Sequence, residues 1–301
     1  MAFSLDSERN AKIIMASAMA LFGTIGVITY HIDLPSSVIV MGRGLVSVPF
    51  LLLIIWITKN KISREDIRSN ATILVASGLC LGLNWLCLFE AYKTIEISTA
   101  TLCNYLTPAF VILVSPILLK EKLTWPKLIC VLVAILGLAM ISGIFESGLS
   151  GINTYGITCG IMAAVFYTGM IILNKKLKVI GPFDRTLIQL ATAAVLVTVY
   201  SLITVNFSEV NFTTKSVLLV VLLGVVQTAI CFTMYFGSMK SLKTETVAIY
   251  GYLEPIVSIT LSVLILGEDL GVMGWTGAAL LLGSTLVCEL MDHENKATDP
   301  N

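Results

Sequence analysis

Charge is scarce in this chain: Asp, Glu, Lys and Arg together make up 13% of its 301 residues, hydrophobic residues 56%, and the two signs cancel. Soluble domains carry about 25% charged residues, so the composition excludes an ordinary soluble globular protein and points to a membrane protein. Histidine occurs only at His31 and His293, which leaves no His-based nucleophile relay and no multi-His metal site. The seven cysteines form no CxxC pair and all lie in apolar segments; they read as small packing residues, not as a disulfide framework or zinc site. A GxxxxGK[ST] phosphate loop is missing, which argues against direct ATP coupling. The basic residues are dispersed and form no nucleic-acid patch. No enzyme, no cofactor, no metal and no nucleic-acid partner are therefore expected.

What the chain has in quantity is long apolar runs. A hydrocarbon core of roughly 30 Å needs about 20 apolar residues per helix, and ten segments qualify: 11–30, 36–58, 71–92, 97–119, 125–143, 155–174, 183–205, 216–239, 246–266 and 272–290. The connections, such as KNKISREDIRSN before the third segment, are too short for a separate soluble domain. The small residues ASAMA at 16–20 sit inside the first apolar segment, so that segment is expected to be retained and not cleaved. Asn206-Phe-Ser and Asn211-Phe-Thr fit the glycosylation tripeptide, a pattern common by chance.

The second half of the chain repeats the first. A shift of 147 residues aligns Ala91–Leu123 with Ser238–Leu270 without a gap, and ten of the 33 positions are identical, among them Tyr105/Tyr252, Pro108/Pro255 and Glu121/Glu268. Each half holds five segments, at 8–146 and 150–290, followed by a tail at 291–301. An odd number of spans turns the second copy upside down, the inverted-repeat plan of many secondary transporters. Charge agrees: with the N-terminus inside, 16 of the 19 basic residues fall on the inner side and only Lys93 and Lys215 outside, Arg43 lying within the second span. Cytoplasmic loops collect Lys and Arg. The expectation is an all-α integral membrane protein of ten transmembrane helices in two inverted five-helix repeats, in the cell membrane, with both termini cytoplasmic.

Each half also carries a proline in its fourth segment, then Glu121-Lys-Leu or Glu268-Asp-Leu, then a small-residue helix with a tryptophan, Trp125 or Trp275. This pattern resembles the EamA-type transporters of the drug/metabolite transporter superfamily, over essentially the whole chain. The resemblance implies a ten-helix carrier of small metabolites, often outward, with amino acids and other organic solutes among the substrates.

Charged side chains at mid-membrane depth cost about 2.5–3.5 kcal/mol on insertion scales. Two stand roughly 12 Å deep at 1.5 Å per residue: Glu254 and Arg43. Pro255 removes the helical donor of the Gly251 carbonyl, and Pro108 that of Asn104. Broken backbone at that depth is tolerated where it lines a cavity. Glu254 is therefore read as a proton-coupling carboxyl or a ligand for a substrate amine, with Asn104, Tyr105, Tyr250 and Tyr252 as orienting groups. Arg43 reads equally well as a substrate contact or as a structural arginine. Gln227 and Trp85 share helical faces with further polar residues and could reach the same cavity. The partners expected are a small-molecule solute and the lipid bilayer, with a homodimer left open by the glycines of the tenth helix. The reading from another class, a membrane enzyme or sensor acting on a lipid or quinone, would need clustered catalytic side chains that the sequence does not offer.

The charge asymmetry gives the first prediction. In a cysteine-free background, a membrane-impermeant thiol label should reach a cysteine at position 209 from outside and one at position 61 only from inside. Reversed access at both would overturn the orientation.

Overall fold

A computed structural model describes residues 8–118, 124–147, 153–239, 241–242 and 244–298, and every regular element among them is a helix, without strands. Lipid offers backbone groups no hydrogen-bond partner, so an apolar chain must close its own bonds within helices. Nine helices are long and apolar enough to cross a membrane. They are α1 (Glu8–Tyr30), α2 (Ser36–Ile57), α3 (Arg64–Thr94), α4 (Ile97–Leu118), α6 (Thr154–Lys175), α7 (Pro182–Thr204), α8 (Thr214–Met239), α9 (Ile249–Leu266) and α10 (Gly271–Cys288). Between α4 and α6 lies the shorter apolar α5, Trp125–Ile141. Large apolar side chains face outward along several helices, as with Trp56, Ile203, Leu264 and Val272. Such a surface suits lipid and not water.

Some boundaries differ from the hydropathy pattern. The third helix starts at Arg64, not at 71, because Ser63 caps it: its hydroxyl accepts from the backbone N–H of Asp66 at 3.2 Å. Glu65 and Asp66 add negative charge where the helix dipole is positive. At 31 residues, α3 is about 46 Å long, more than the bilayer core requires. Its opposite end is tied by Glu90, whose carboxylate accepts from Ser36 on α2 and from Tyr155 on α6.

Glycine lets the helices approach. Gly78 and Gly82 of α3 sit against the backbone of α7 at Gln189 and Ala193. Gly160 of α6 meets Cys103 of α4, and Gly23 of α1 meets the carbonyl of Glu254 on α9. The glycines of α10 divide. A Cβ on Gly277 would lie 2.5 Å from the Gly137 carbonyl of α5, whereas one on Gly283 would meet nothing within 4 Å. One face of α10 is thus used within the chain.

Two helices are broken where prolines were expected to break them. The fourth runs as Ile97–Asn104 and Thr107–Leu118. The ninth runs as Thr244–Gly251 and Leu253–Leu261, then widens into a π-helical stretch, Ser262–Leu266. A second π-helical stretch, Leu223–Ile230, interrupts α8. There the Thr228 hydroxyl donates to the Leu223 carbonyl five residues back, at 2.9 Å.

Because the α5–α10 seam leaves no room for a methyl group, Gly277→Ala should destabilise the fold by about 1–3 kcal/mol, the usual range for overpacking. Gly283→Ala should be neutral. Thermal unfolding of the two variants in detergent checks the contrast.

Candidate functional site

The freed carbonyls of the broken helices both find partners. That of Asn104 accepts from the Thr107 hydroxyl at 2.7 Å. That of Gly251 accepts from the Tyr105 hydroxyl at 3.3 Å, a bond that joins the two halves of the chain. The breaks border a cavity of about 560 Å³ whose walls come from α1, α2, α3, α4, α6, α7, α8 and α9.

Of the residues singled out by sequence, Arg43, Trp85, Asn104, Tyr105, Pro108, Tyr252 and Glu254 line this cavity. Tyr250, Gln227 and Pro255 do not. Tyr250 lies on the segment before the ninth-helix break, within electrostatic reach of Lys12. Gln227 falls in the π-helical stretch of α8 and is buried against α1, its amide donating to Thr24 Oγ1 at 3.1 Å. The regular helical spacing that groups it with further polar residues of its face fails because the i→i+5 bonding of a π-helical stretch rotates the face. Pro255 is buried behind the cavity wall.

The polar wall is largely self-satisfied. Asn84 donates to Asn104 Oδ1 at 3.1 Å and to the Ala163 carbonyl at 2.9 Å. Gln189 donates to Ser77 at 2.7 Å and to Asn174 at 2.6 Å. Arg43 is 3% exposed; its Nε donates to Thr228 Oγ1 at 2.7 Å, and its guanidinium lies 4.4 Å from the Trp85 ring centroid and 5.5 Å from that of Phe89. Glu254 is half-buried beside Tyr105. Arg43 and Glu254 face one cavity without touching: among the described residues the one ion pair within 4 Å is Lys12–Glu8.

Three wall residues escaped the sequence reading. Arg185 enters there only in the tally of inner-side cations, yet it lines the cavity near the start of α7 and stacks 5.4 Å from the Phe236 ring. Tyr92 and Tyr167 carried no signal, being aromatics in apolar helices.

At the other end the cavity is shut. Glu268, in the link between α9 and α10, reaches the first turn of α4: its carboxylate accepts from Ile97 N at 2.6 Å, Ser98 N at 3.0 Å and Ser98 Oγ at 2.6 Å. A helix N-terminus offers unpaired N–H groups and a positive dipole end, and a carboxylate suits both. Below this cap, Thr101 and Ser258 pair at 3.0 Å, and Tyr92 approaches Thr101 at 3.4 Å. Beyond it lies a second, wider cavity, lined by Tyr30, Glu96, Asn153 and Glu268; Tyr92 lines both. The only sequence signal for this cap was the repetition of a glutamate at 121 and 268. Glu121 lies outside the described residues.

Comparisons with known proteins agree with this architecture. Residues 10–143 and 154–289 each match the EamA-like transporter family. An uncharacterized transporter of Bacillus subtilis, YxxF, is 28% identical over 289 residues, 93% of this chain and 91% of that one. Another, from Archaeoglobus fulgidus, is 26% identical over 65% of this chain and 68% of its own. A crystal structure with TM-score 0.66 and 18% identity covers 95% of this chain and 99% of its own, which shows the fold alone.

Hydrogen bonds to a charged group contribute about 1.5–3 kcal/mol. Removing the cap with Glu268→Ala should therefore expose the barrier beneath it. A cysteine at position 101 should react at least about tenfold faster with a soluble thiol reagent in that background than with Glu268 intact.

Proposed function

Since the chain belongs to the EamA-like transporter family, we propose that it is a secondary active transporter of small metabolites, amino acids or related organic solutes, working by alternating access as a proton-coupled exporter. The observation that carries this reading is a mid-chain cavity with Glu254 in its wall, capped at one end by Glu268 and reaching Arg185, Asn174 and Met239 toward the other.

Ten membrane helices in inverted halves suit this reading. The α5 helix, 17 residues or about 26 Å, is close to the thickness of a thin bilayer, roughly 27 Å. Moving five helices along the chain exchanges packing pairs: α3 packs on α6 as α8 packs on α1, and α3 packs on α7 as α8 packs on α2. Helices α2 and α7, α4 and α9, and α5 and α10 pack on their own counterparts. With both termini cytoplasmic, the capped end faces outward and Arg185 lies near an inner mouth, so the state described is open inward. The outward-open state follows when the Glu268 cap opens and the corresponding contact of the other half closes. Glu254 loads and releases a proton as its side of access changes, being the one carboxylate on the cavity wall among the described residues.

Glu254→Gln keeps the shape and removes the titration. Cells overexpressing the wild-type chain should enrich specific solutes in the medium. With those solutes, reconstituted Glu254→Gln should exchange label across the membrane but lose accumulation driven by a pH gradient. Gradient-driven accumulation at the wild-type rate would sink the coupling role, and loss of exchange as well would assign Glu254 to substrate binding.

A further inference from the structure

We propose that the central cavity takes its solute as an anion, a small organic acid, with the Arg43 guanidinium as the group that holds the carboxylate or equivalent oxyanion. The inference rests on the reading of this cavity as the transport site and adds the charge class of the solute.

Arg43 is buried and yet incompletely used. A guanidinium has five N–H donors in a fixed fork. Nε is engaged by Thr228, which the π-helical stretch of α8 brings into place. The ring of Trp85 covers the planar group. The four N–H bonds on the two terminal nitrogens have no hydrogen-bond partner among the described residues, while the residue lines the cavity. That terminal edge is the part of the fork that matches a carboxylate bidentately.

The charge count points the same way. Facing the cavity are two guanidiniums, Arg43 and Arg185, and one carboxylate, Glu254; the tyrosines and amides are neutral. No carboxylate stands within 4 Å of either guanidinium among the described residues. A buried cation with no carboxylate in direct contact favours an anion that can pair with it at hydrogen-bond distance. The repeat offers no second such group, since the symmetry mates of Arg43 are Gln189 and Leu190 and the Gln189 amide is engaged by Ser77 and Asn174. The apolar remainder of the wall, with Phe89, Leu88, Phe232 and Trp85, suits an aromatic or aliphatic body on that acid.

The test uses the purified full-length chain in lipid nanodiscs and a panel of small organic acids, each paired with its primary amide and its primary amine as neutral and cationic isosteres. Thermal stabilisation is read as a function of concentration. Acids of the panel should stabilise the wild type and their isosteres should not. Arg43→Gln should weaken the acids by at least about tenfold, as expected when one partner of a buried charge pair is truncated, and Arg43→Lys should recover part of the loss. Stabilisation by amines in preference to acids, or acid binding unchanged in Arg43→Gln, overturns the proposal. Should Arg43→Gln fail to fold, Thr228→Val, which frees Nε and tilts the fork, must still weaken the acids more than any other ligand. Acid binding without transport would leave this inference standing and remove the transport reading. Transport of neutral or cationic solutes that survives Arg43→Gln would do the reverse.

Discussion

The hydrogen bond from Tyr105 to the Gly251 carbonyl answers a constraint that shapes the whole molecule: within a bilayer, a backbone group released from its helix must find a partner inside the protein. Pro255 releases that carbonyl, and the side chain that satisfies it comes from the other half of the chain. Pro108 releases Asn104, which Thr107 satisfies locally. The two breaks thus face each other, and the polar groups that mend them form the wall of a cavity. Without the prolines, α4 and α9 would be continuous apolar helices with no reason to keep Tyr105, Asn104 or Glu254 at that depth.

From that constraint follows the chemistry of the site. Glu254 and Arg43 share the cavity without forming an ion pair within 4 Å, so each keeps its hydrogen-bonding edge open to the cavity. Thr228 can orient Arg43 only because α8 opens into a π-helical stretch next to it, with Gly224 allowing α8 to approach α2. At the capped end, Glu268 joins the link after α9 to the first turn of α4, tying the two broken helices together a second time. The same helices therefore build the site and the barrier that closes it, which is what a carrier that opens on alternate sides requires.

Much of this was legible in the residues. The duplication, the prolines and the isolated charges were visible as departures from an apolar background, and they located the cavity and seven of its wall residues. What misled was regular periodicity. Spacing at 3.6 residues places Gln227 on the cavity face, but a π-helical turn does not obey that period. Tyr250 was grouped with Glu254 across a break that re-aims the chain. Arg185 reads only as an inner-side cation, because a basic residue three positions after the helix-starting Pro182 satisfies the charge asymmetry whether or not it also borders a cavity mouth. The early start of α3 had a readable signal in Ser63-Arg-Glu-Asp66, a capping sequence that an apolar window does not register.

In the proposed cycle one cavity serves both sides, and the contact between Glu268 and the start of α4 must part each time. Cysteines at positions 98 and 268, joined by a short bifunctional maleimide in an otherwise cysteine-free chain, hold that contact closed. Solute flux in proteoliposomes should then fall to background, while a thiol reagent supplied from the Arg185 side still reaches a reporter cysteine placed at position 174. Flux at the unlinked rate with the link in place would contradict the account.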